Sequence, residues 1–376
     1  MTRPFVKWPG GKSEEVGIIH QYIPNNIENY IEPFLGGGAC FLSLDRNEYR
    51  SAYLNDFSTE LISLYRMIQD RNEIFYNYLL DIWTYWNSMG LFSREFYHII
   101  REMYDSYKRN EINEEALKDL VNLFINDRVN MILQDLPESL NVNSDRLIIE
   151  FKKSLLSKIK NIKRKELKDG DLPDDDYQSN FESGIRASVY TYYRYLYNKR
   201  NEYGIDDELH IALFFYLREF CYSSMFRYNT RGEFNVPYGG LSYNNKNFIN
   251  KIEYIRNNEL NEKLNASTLF NLDFEDFLNR IAINRDDFMF LDPPYDGGFS
   301  EYANNTFEQD DQRRLANYLI FECQCRFMLI IKNTEFIAEL YENHQNINVR
   351  GFDKDYRVSF MDRNDKKVKH LLITNY

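Results

Sequence analysis

Residues 29–56 read "NYIEPFLGGGACFLSLDRNEYRSAYLND", and this stretch sets the fold class. "NYIEPF" predicts a strand, the consecutive glycines Gly36 to Gly38 a turn, "ACFLSLD" the start of a helix, and "SAYLND" a second strand. The next segment, "STELISLYRMI", has helical spacing. This βαβα order favours an open α/β sheet with parallel strands. Glycines between strand and helix let the backbone turn sharply and lie against a ligand, and the helix start offers unpaired N–H groups. Asp56 closes the second strand, 20 positions after Gly36. A carboxylate there accepts hydrogen bonds from both ribose hydroxyls of an adenosine-containing cofactor. It also stands where the N-cap of the following helix belongs. These features alone would also suit a nicotinamide enzyme, but the glycines do not follow G-x-G-x-x-G. The earlier "FVKWPGGK" (residues 5–12) lacks the G-x-x-x-x-G-K-[ST] of a phosphate loop.

A second stretch carries chemistry. "FMFLDPPYDGG" (residues 288–298) is an apolar strand that ends in an acid, two prolines and a tyrosine. Asp292 and the Pro293 carbonyl are both acceptors, set close together by a turn that Pro293 and Pro294 stiffen. An exocyclic aromatic amine held by its two N–H groups between them loses conjugation with its ring, and its lone pair becomes available to attack. Tyr295 can stack on that ring. The nucleophile is then the substrate's own nitrogen, and its natural partner is an electrophilic methyl on a sulfonium cofactor. No general base is obligatory, because the proton can leave after transfer.

The composition bounds the rest. The chain has 376 residues, 43% of them hydrophobic and 16% aromatic, enough for about two folded domains. No apolar run reaches the roughly 18 residues of a membrane span. The N-terminal sequence lacks a signal peptide's apolar stretch, so a cytoplasmic location is expected. The cysteines Cys40, Cys221, Cys323 and Cys325 suit a reducing compartment, and Cys323 and Cys325 lie in "CQCRFMLII", which reads as strand. They have no companion histidine cluster, so buried thiols are expected and no metal site. The net charge of −12 argues mildly against nucleic acid as a partner. One basic run, Lys152 to Lys168, has apolar residues at helical spacing, which predicts an amphipathic helix with a basic face.

Texture divides the chain in three. Residues 1–64 are α/β. Residues 65–244 are dominated by helical patterns such as "NEIFYNYLLDIWTYW", with "KDGDLPDDDYQSN" (residues 168–180) reading as an acidic loop. Residues 245–376 return to α/β, with strands expected in "STLFNL", "DFMFLD", "CRFMLII" and "HLLITNY". A mainly helical segment therefore interrupts an α/β domain.

With these pieces in hand, the chain resembles the Dam-type (D12 class, alpha group) DNA adenine-N6 methyltransferases. The resemblance rests on "FVKWPGGK", "YIEPFLGGGACF", "YLNDFSTELISLY", "FRYNTRGEFNVPYG", "LDPPY", "EYANNTF" and the closing "HLLITNY", in the family's order from residue 5 to the end. It implies a Rossmann-like S-adenosylmethionine-dependent methyltransferase sheet with an inserted, mainly helical target-recognition domain. The cofactor contacts it implies are Trp8, Lys12, Glu32, Phe34, Gly36, Gly38, Asp56, Asp273 and Asp292. Asp292, Pro293, Pro294 and Tyr295 would form the catalytic elbow that holds a flipped adenine. The partner it implies is double-stranded DNA, contacted by Lys7, Tyr222, Met225, Arg227, Asn229, Arg231 and Pro237, and a cognate restriction endonuclease is a further expected partner. Arginine can donate two hydrogen bonds to guanine, worth about 1–3 kcal/mol of discrimination.

Relatives that methylate GATC usually carry an asparagine–glycine pair where this chain has Ser223 and Ser224, and a basic residue in place of Gly240. The recognition sequence is therefore left open. Related enzymes with the same elbow modify RNA or protein amides, but the whole-chain match favours DNA. A non-catalytic regulator would show damage in the methyl-donor pocket, and every expected pocket residue is present.

Overall fold

The computed structural model describes residues 2–295, 307–342, 344–355 and 367–376. Of "EYANNTF", therefore, only Phe307 lies among the described residues. The chain forms two compact units: Met1–Arg71 with Ile255–Tyr376, and Asn72–Tyr254. Texture placed the divisions at 64/65 and 244/245. The first observed division falls later because the helix Thr59–Gln69 buries Leu61, Ile62, Leu64, Tyr65 and Ile68 in the first unit, and the second lies between Tyr254 and Ile255.

The first unit is built on a seven-stranded sheet: β1 (Asn29–Glu32), β2 (Ser51–Asn55), β3 (Ser267–Phe270), β4 (Phe288–Leu291), β5 (Arg326–Lys332), β6 (Asn348–Asp355) and β7 (Lys367–Thr374). Their order is β3-β2-β1-β4-β5-β7-β6. The first five are mutually parallel, and β7 runs antiparallel between β5 and β6. The apolar runs of β4 and β5 follow from burial on both faces of a parallel sheet: all four residues of β4 are buried, as are the five central residues of β5. Ile31, Met289, Leu291, Phe327, Leu329 and Ile331 pack in one core with Phe274, Phe277, Leu315 and Ile337.

β6 is a strand that the sequence pattern did not announce. The C-x-C expectation is corrected: β5 begins only at Arg326, and the two thiols precede it, following a short helical turn at Tyr318–Glu322. Cys325 is buried, Cys323 half-buried.

The chain leaves the first unit after Arg71 and returns at Ile255, and the segments at these two points are tied together. Arg71 donates to the Asn258 side chain (2.6 Å). The Asn261 amide donates to the carbonyls of Ile68 (3.2 Å) and Gln69 (2.9 Å). The Gln69 amide donates to those of Leu264 (2.5 Å) and Ser267 (3.0 Å).

The second unit is helical, its longest members being Glu73–Glu95, Ser144–Asp169, Asp174–Asn198 and Asp207–Phe220. Its core is rich in tyrosine, and buried hydroxyls find backbone acceptors: Tyr85 donates to Ile132, Tyr192 to Leu140 and Tyr190 to Val236. Glu166 is a buried hub that accepts from the hydroxyls of Tyr104 and Tyr177 and from the Leu172 N–H (3.0 Å), and it pairs with Lys108 at 2.9 Å. Desolvation raises its pKa, but the two hydroxyls, the Leu172 amide and Lys108 outweigh that and bring it down to about 2. The acidic-loop expectation is corrected in part. A helix already begins at Asp174, and Asp174, Asp175 and Asp176 fill its first turn, where negative charge complements the helix dipole. Among the described residues, no helix is long and apolar enough to cross a membrane.

Candidate active site

Parallel strands end on one edge, so the residues that follow β1, β2, β3 and β4 gather there. β1 and β4 are neighbours, yet the chain leads from β1 toward β3 on one side and from β4 toward β5 on the other. This is the topological switch point, where open α/β sheets place their ligands. Glu32 ends β1 and Asp292 follows β4, on either side of it.

The glycine turn is held from two directions. Gly36 (φ +51°) and Gly38 (φ +67°) are in the left-handed region. A Cβ on Gly36 would lie 2.9 Å from Trp8 Cδ1, and one on Gly38 would lie 2.6 Å from the Tyr65 hydroxyl. The following helix, Ala39–Ser43, is only five residues long. The carbonyls at its end, Leu42 and Leu44, accept from the buried Lys263 ammonium at 2.8 and 2.5 Å. Burial lowers the pKa of that lysine. Asp56 is fixed by two backbone donors, Gly36 N–H to Oδ2 (2.8 Å) and Ser58 N–H to Oδ1 (2.9 Å). Desolvation raises its pKa despite these donors. The helix cap itself is Ser58, whose hydroxyl accepts from the Leu61 N–H, so the N-cap alternative for Asp56 is corrected by two positions. Glu32 accepts from the Tyr30 hydroxyl (2.8 Å). Burial first, and then the nearby Asp292 and Asp56, hold its carboxyl well above the ordinary carboxylate range. Phe34 is half-buried and packs on Phe274 and Phe307. Asp273 caps the helix Phe274–Arg280 through the Glu275 N–H (3.0 Å) and pairs with Arg314 (2.8 Å).

The elbow after β4 is braced by buried side chains. Lys12, 2% exposed, forms an ion pair with Asp292 and donates to the Gly10 carbonyl (3.1 Å) and the Tyr295 hydroxyl (3.2 Å). Gln312 donates to the Pro294 carbonyl (2.8 Å), and His370 Nε2 lies 3.1 Å from the Tyr295 hydroxyl. Sequence reasoning singled out neither Gln312 nor His370, nor Tyr65, Lys263 and Asn55. The buried Asn55 amide donates to the carbonyls of Pro33 and Leu272, both at 3.0 Å, and so ties the ends of β1 and β3. Asn55 and His370 do lie inside the quoted "YLND" and "HLLITNY".

In the second unit, residues 226–236 form a hairpin in which Tyr228 pairs with Phe234 and the Phe226 and Phe234 rings stack at 4.2 Å. Asn229 shapes its tip: its side-chain oxygen accepts from the N–H groups of Arg231 (2.9 Å) and Glu233 (3.0 Å). Asn198 fixes the hairpin through both the N–H and the carbonyl of Phe234. Tyr222, Arg227, Arg231 and Pro237 are exposed, and Met225 and Asn229 half-buried. Lys7, in the first unit, is exposed. Ser223 and Ser224 both have left-handed backbones (φ +52° and +53°). On the basic helix, Lys160 pairs with Glu114 and Lys163 donates to the Tyr107 carbonyl (2.5 Å), whereas Lys153, Arg164, Lys165 and Lys168 are exposed.

A seven-stranded, mostly parallel sheet with acids at the switch point is consistent with a methyltransferase. The model of the family described as D12 class N6 adenine-specific DNA methyltransferase matches residues 8–183 and 130–353, and the chain belongs to that family. It is 24% identical over 378 residues to the Type II methyltransferase M.CviBI of Paramecium bursaria Chlorella virus NC1A, covering all of both chains. It is 24% identical over 390 residues to the Type II methyltransferase M.MjaIII of Methanocaldococcus jannaschii, covering all of this chain and 99% of the relative. Similarity to a DNA adenine methylase of Haemophilus influenzae is 23% over 352 residues, covering 90% of this chain and 82% of the relative. The chain is thus an adenine-specific DNA methyltransferase, and its family implies S-adenosylmethionine as methyl donor.

Proposed function

We propose that the edge between β1 and β4 is where this DNA adenine methyltransferase brings its methyl donor and an extrahelical adenine together. The observation that carries the reading is the Asp292–Tyr295 elbow, braced by Lys12 across the switch point from Glu32. The side chains at this edge fit an adenosyl sulfonium. Asp56 is preorganised by two amides and has carboxylate lone pairs left for ribose hydroxyls. The left-handed turns at Gly36 and Gly38 leave bare backbone beside it. Trp8, Lys12, Glu32, Phe34, Asp273 and Asp292 complete the set that would hold the group. When bound, S-adenosylmethionine supplies the methyl as an electrophile on its sulfonium sulfur.

The chain's own residues do the rest. One carboxylate oxygen of Asp292 pairs with Lys12, and the carboxylate keeps acceptor capacity for one N6 proton. The Pro293 carbonyl takes the other, while the Pro294 carbonyl is occupied by Gln312. Tyr295 stacks on the base. An adenine N6 inside a duplex is paired and cannot meet the methyl in line, so the base must leave the stack. The second unit then reads the duplex. Arg227 and Arg231 reach bases or phosphates from the hairpin, flanked by Tyr222, Met225 and Pro237, while Asn229 holds its shape, and Lys7 adds a contact from the first unit. The exposed basic helix face contributes phosphate contacts. Neutralising Lys153, Arg164, Lys165 and Lys168 should weaken DNA binding and flatten its salt dependence. The two Type II relatives support a role beside a cognate restriction endonuclease.

The test is long-read sequencing of unmethylated plasmid after incubation with the protein and S-adenosylmethionine, alongside Asp292→Ala. N6-methyladenine in one recurring sequence, absent with the variant, is the expected result. Wild-type methylation by the variant would overturn the assignment of the elbow.

A further inference from the structure

His370 sits in β7 among "HLLITNY", opposite Lys332 on β5 and Phe352 on β6. It is fully buried, and Leu371, Leu372 and Ile373 after it are buried. A polar ring in so apolar a strand costs free energy unless it is hydrogen-bonded, and its Nε2 lies 3.1 Å from the Tyr295 hydroxyl. The two rings meet at a centroid separation of 5.6 Å and an angle of 65°. On its other side the imidazole contacts the Phe352 ring at 5.8 Å. The hydroxyl of Tyr295 therefore lies between two nitrogens, Lys12 Nζ at 3.2 Å and His370 Nε2 at 3.1 Å.

We propose that His370 is a positioning residue for methyl transfer, holding the Tyr295 ring in the plane on which the target adenine stacks. This rests on the reading of Tyr295 as the stacking ring. An ammonium can only donate, so the phenol oxygen accepts from Lys12, and toward Nε2 it donates or accepts according to the imidazole tautomer. The hydrogen bond fixes the tip of the tyrosine, and the edge contact with the imidazole fixes the tilt of the ring. Lys12 alone would not set that tilt, because an ammonium on a flexible stem is a point charge without a plane. A base stacked on a ring that rocks spends less time with its N6 in line with the methyl donor, and misplacement by an ångström is enough to slow transfer by orders of magnitude.

The experiment is a double-mutant cycle on the single-turnover rate of methyl transfer from tritiated S-adenosylmethionine to unmethylated plasmid DNA, using His370→Leu, Tyr295→Phe and the pair. His370→Leu is expected to slow transfer about 10- to 100-fold while cofactor affinity by calorimetry stays at the wild-type value. In the Tyr295→Phe background, where the hydrogen bond is gone and only the edge contact remains, His370→Leu should slow it much less than in the wild type. His370→Gln, whose amide can accept from or donate to the phenol, should recover most of the rate. If the leucine variant does not fold, His370→Phe, a ring that cannot join the hydrogen bond, completes the cycle. Equal, additive losses in both backgrounds would show a structural role only and overturn the inference, as would a wild-type rate for His370→Leu. Tyr295→Ala separates the two levels of the argument. If it transfers at the wild-type rate, the stacking reading fails and this inference with it. If it is inactive while the cycle is additive, only the role of His370 falls.

Discussion

Replacing Lys12 with methionine removes an ammonium that is 2% exposed and leaves its partner Asp292, whose side chain is 18% exposed, in place. Breaking a fully buried ion pair from one side costs about 3–5 kcal/mol, because the remaining charge stays desolvated. Asp292 can recover part of its hydration, which brings the expected loss to about 2 kcal/mol. Methionine refills the volume of the lysine stem, so packing contributes little. The carbonyl of Gly10 and the hydroxyl of Tyr295 also lose a donor. For a unit of roughly 200 residues, each kcal/mol moves the melting temperature by about 2–4 °C, so a fall of about 4–8 °C is expected. Calorimetry at neutral pH, with cofactor absent, measures it. The decisive comparison is the same substitution in an Asp292→Asn background. There Lys12 is the stranded charge before the substitution and no charge is stranded after it, so the loss should vanish or turn into a gain. An undiminished fall in that background would refute the charge argument and leave packing as the cause.

Three further outcomes are expected. Gly38→Ala places a Cβ 2.6 Å from the Tyr65 hydroxyl on a backbone with φ +67°, so urea unfolding should show a loss of about 2 kcal/mol, with weaker cofactor binding by calorimetry. Ser223→Gly relieves a left-handed serine (φ +52°) and should raise the urea midpoint of the second unit by about 0.5–1 kcal/mol equivalent. Glu166 has a depressed folded-state pKa of about 2, so its stabilisation is fully present above the ordinary carboxylate pKa near 4.3 and is lost as pH falls toward 2. Wild type should exceed Glu166→Gln in urea midpoint at neutral pH, with the gap closing across that acidic window. A gap independent of pH would contradict the assignment.

What could be read in advance follows from the range of each interaction. Buried strands appear as apolar runs whether parallel or, like β7, antiparallel, so β1, β2, β3, β4, β5 and β7 were visible in the sequence. β6 was not: its "NVRGFDKD" is polar, glycine-containing and at the sheet edge, with no apolar run to mark it. The start of the helix at Asp174 was hidden because three aspartates after a proline read as loop when taken singly, and as a favourable first turn only once the helix exists. The elbow at Asp292 was legible because the motif is local. Its braces were not, because His370 and Gln312 reach it from 75 and 18 residues away, and no local pattern encodes such meetings. Lys12, 280 residues from Asp292, was legible only through family resemblance.

The ties between the segment ending at Arg71 and that beginning at Asn258 have a consequence for how such a chain can change. β2 and β3 are hydrogen-bonded neighbours, although the whole second unit lies between them in sequence. Because Asn261, Gln69 and Arg71 close that gap from within the first unit, the sheet has a socket whose rim does not depend on what is plugged into it. A helical unit of another length can be exchanged there, or bypassed by a short linker, while the sheet and its switch point stay as they are. If the second unit reads the target as proposed, target choice and methyl transfer can drift at separate rates within a single chain.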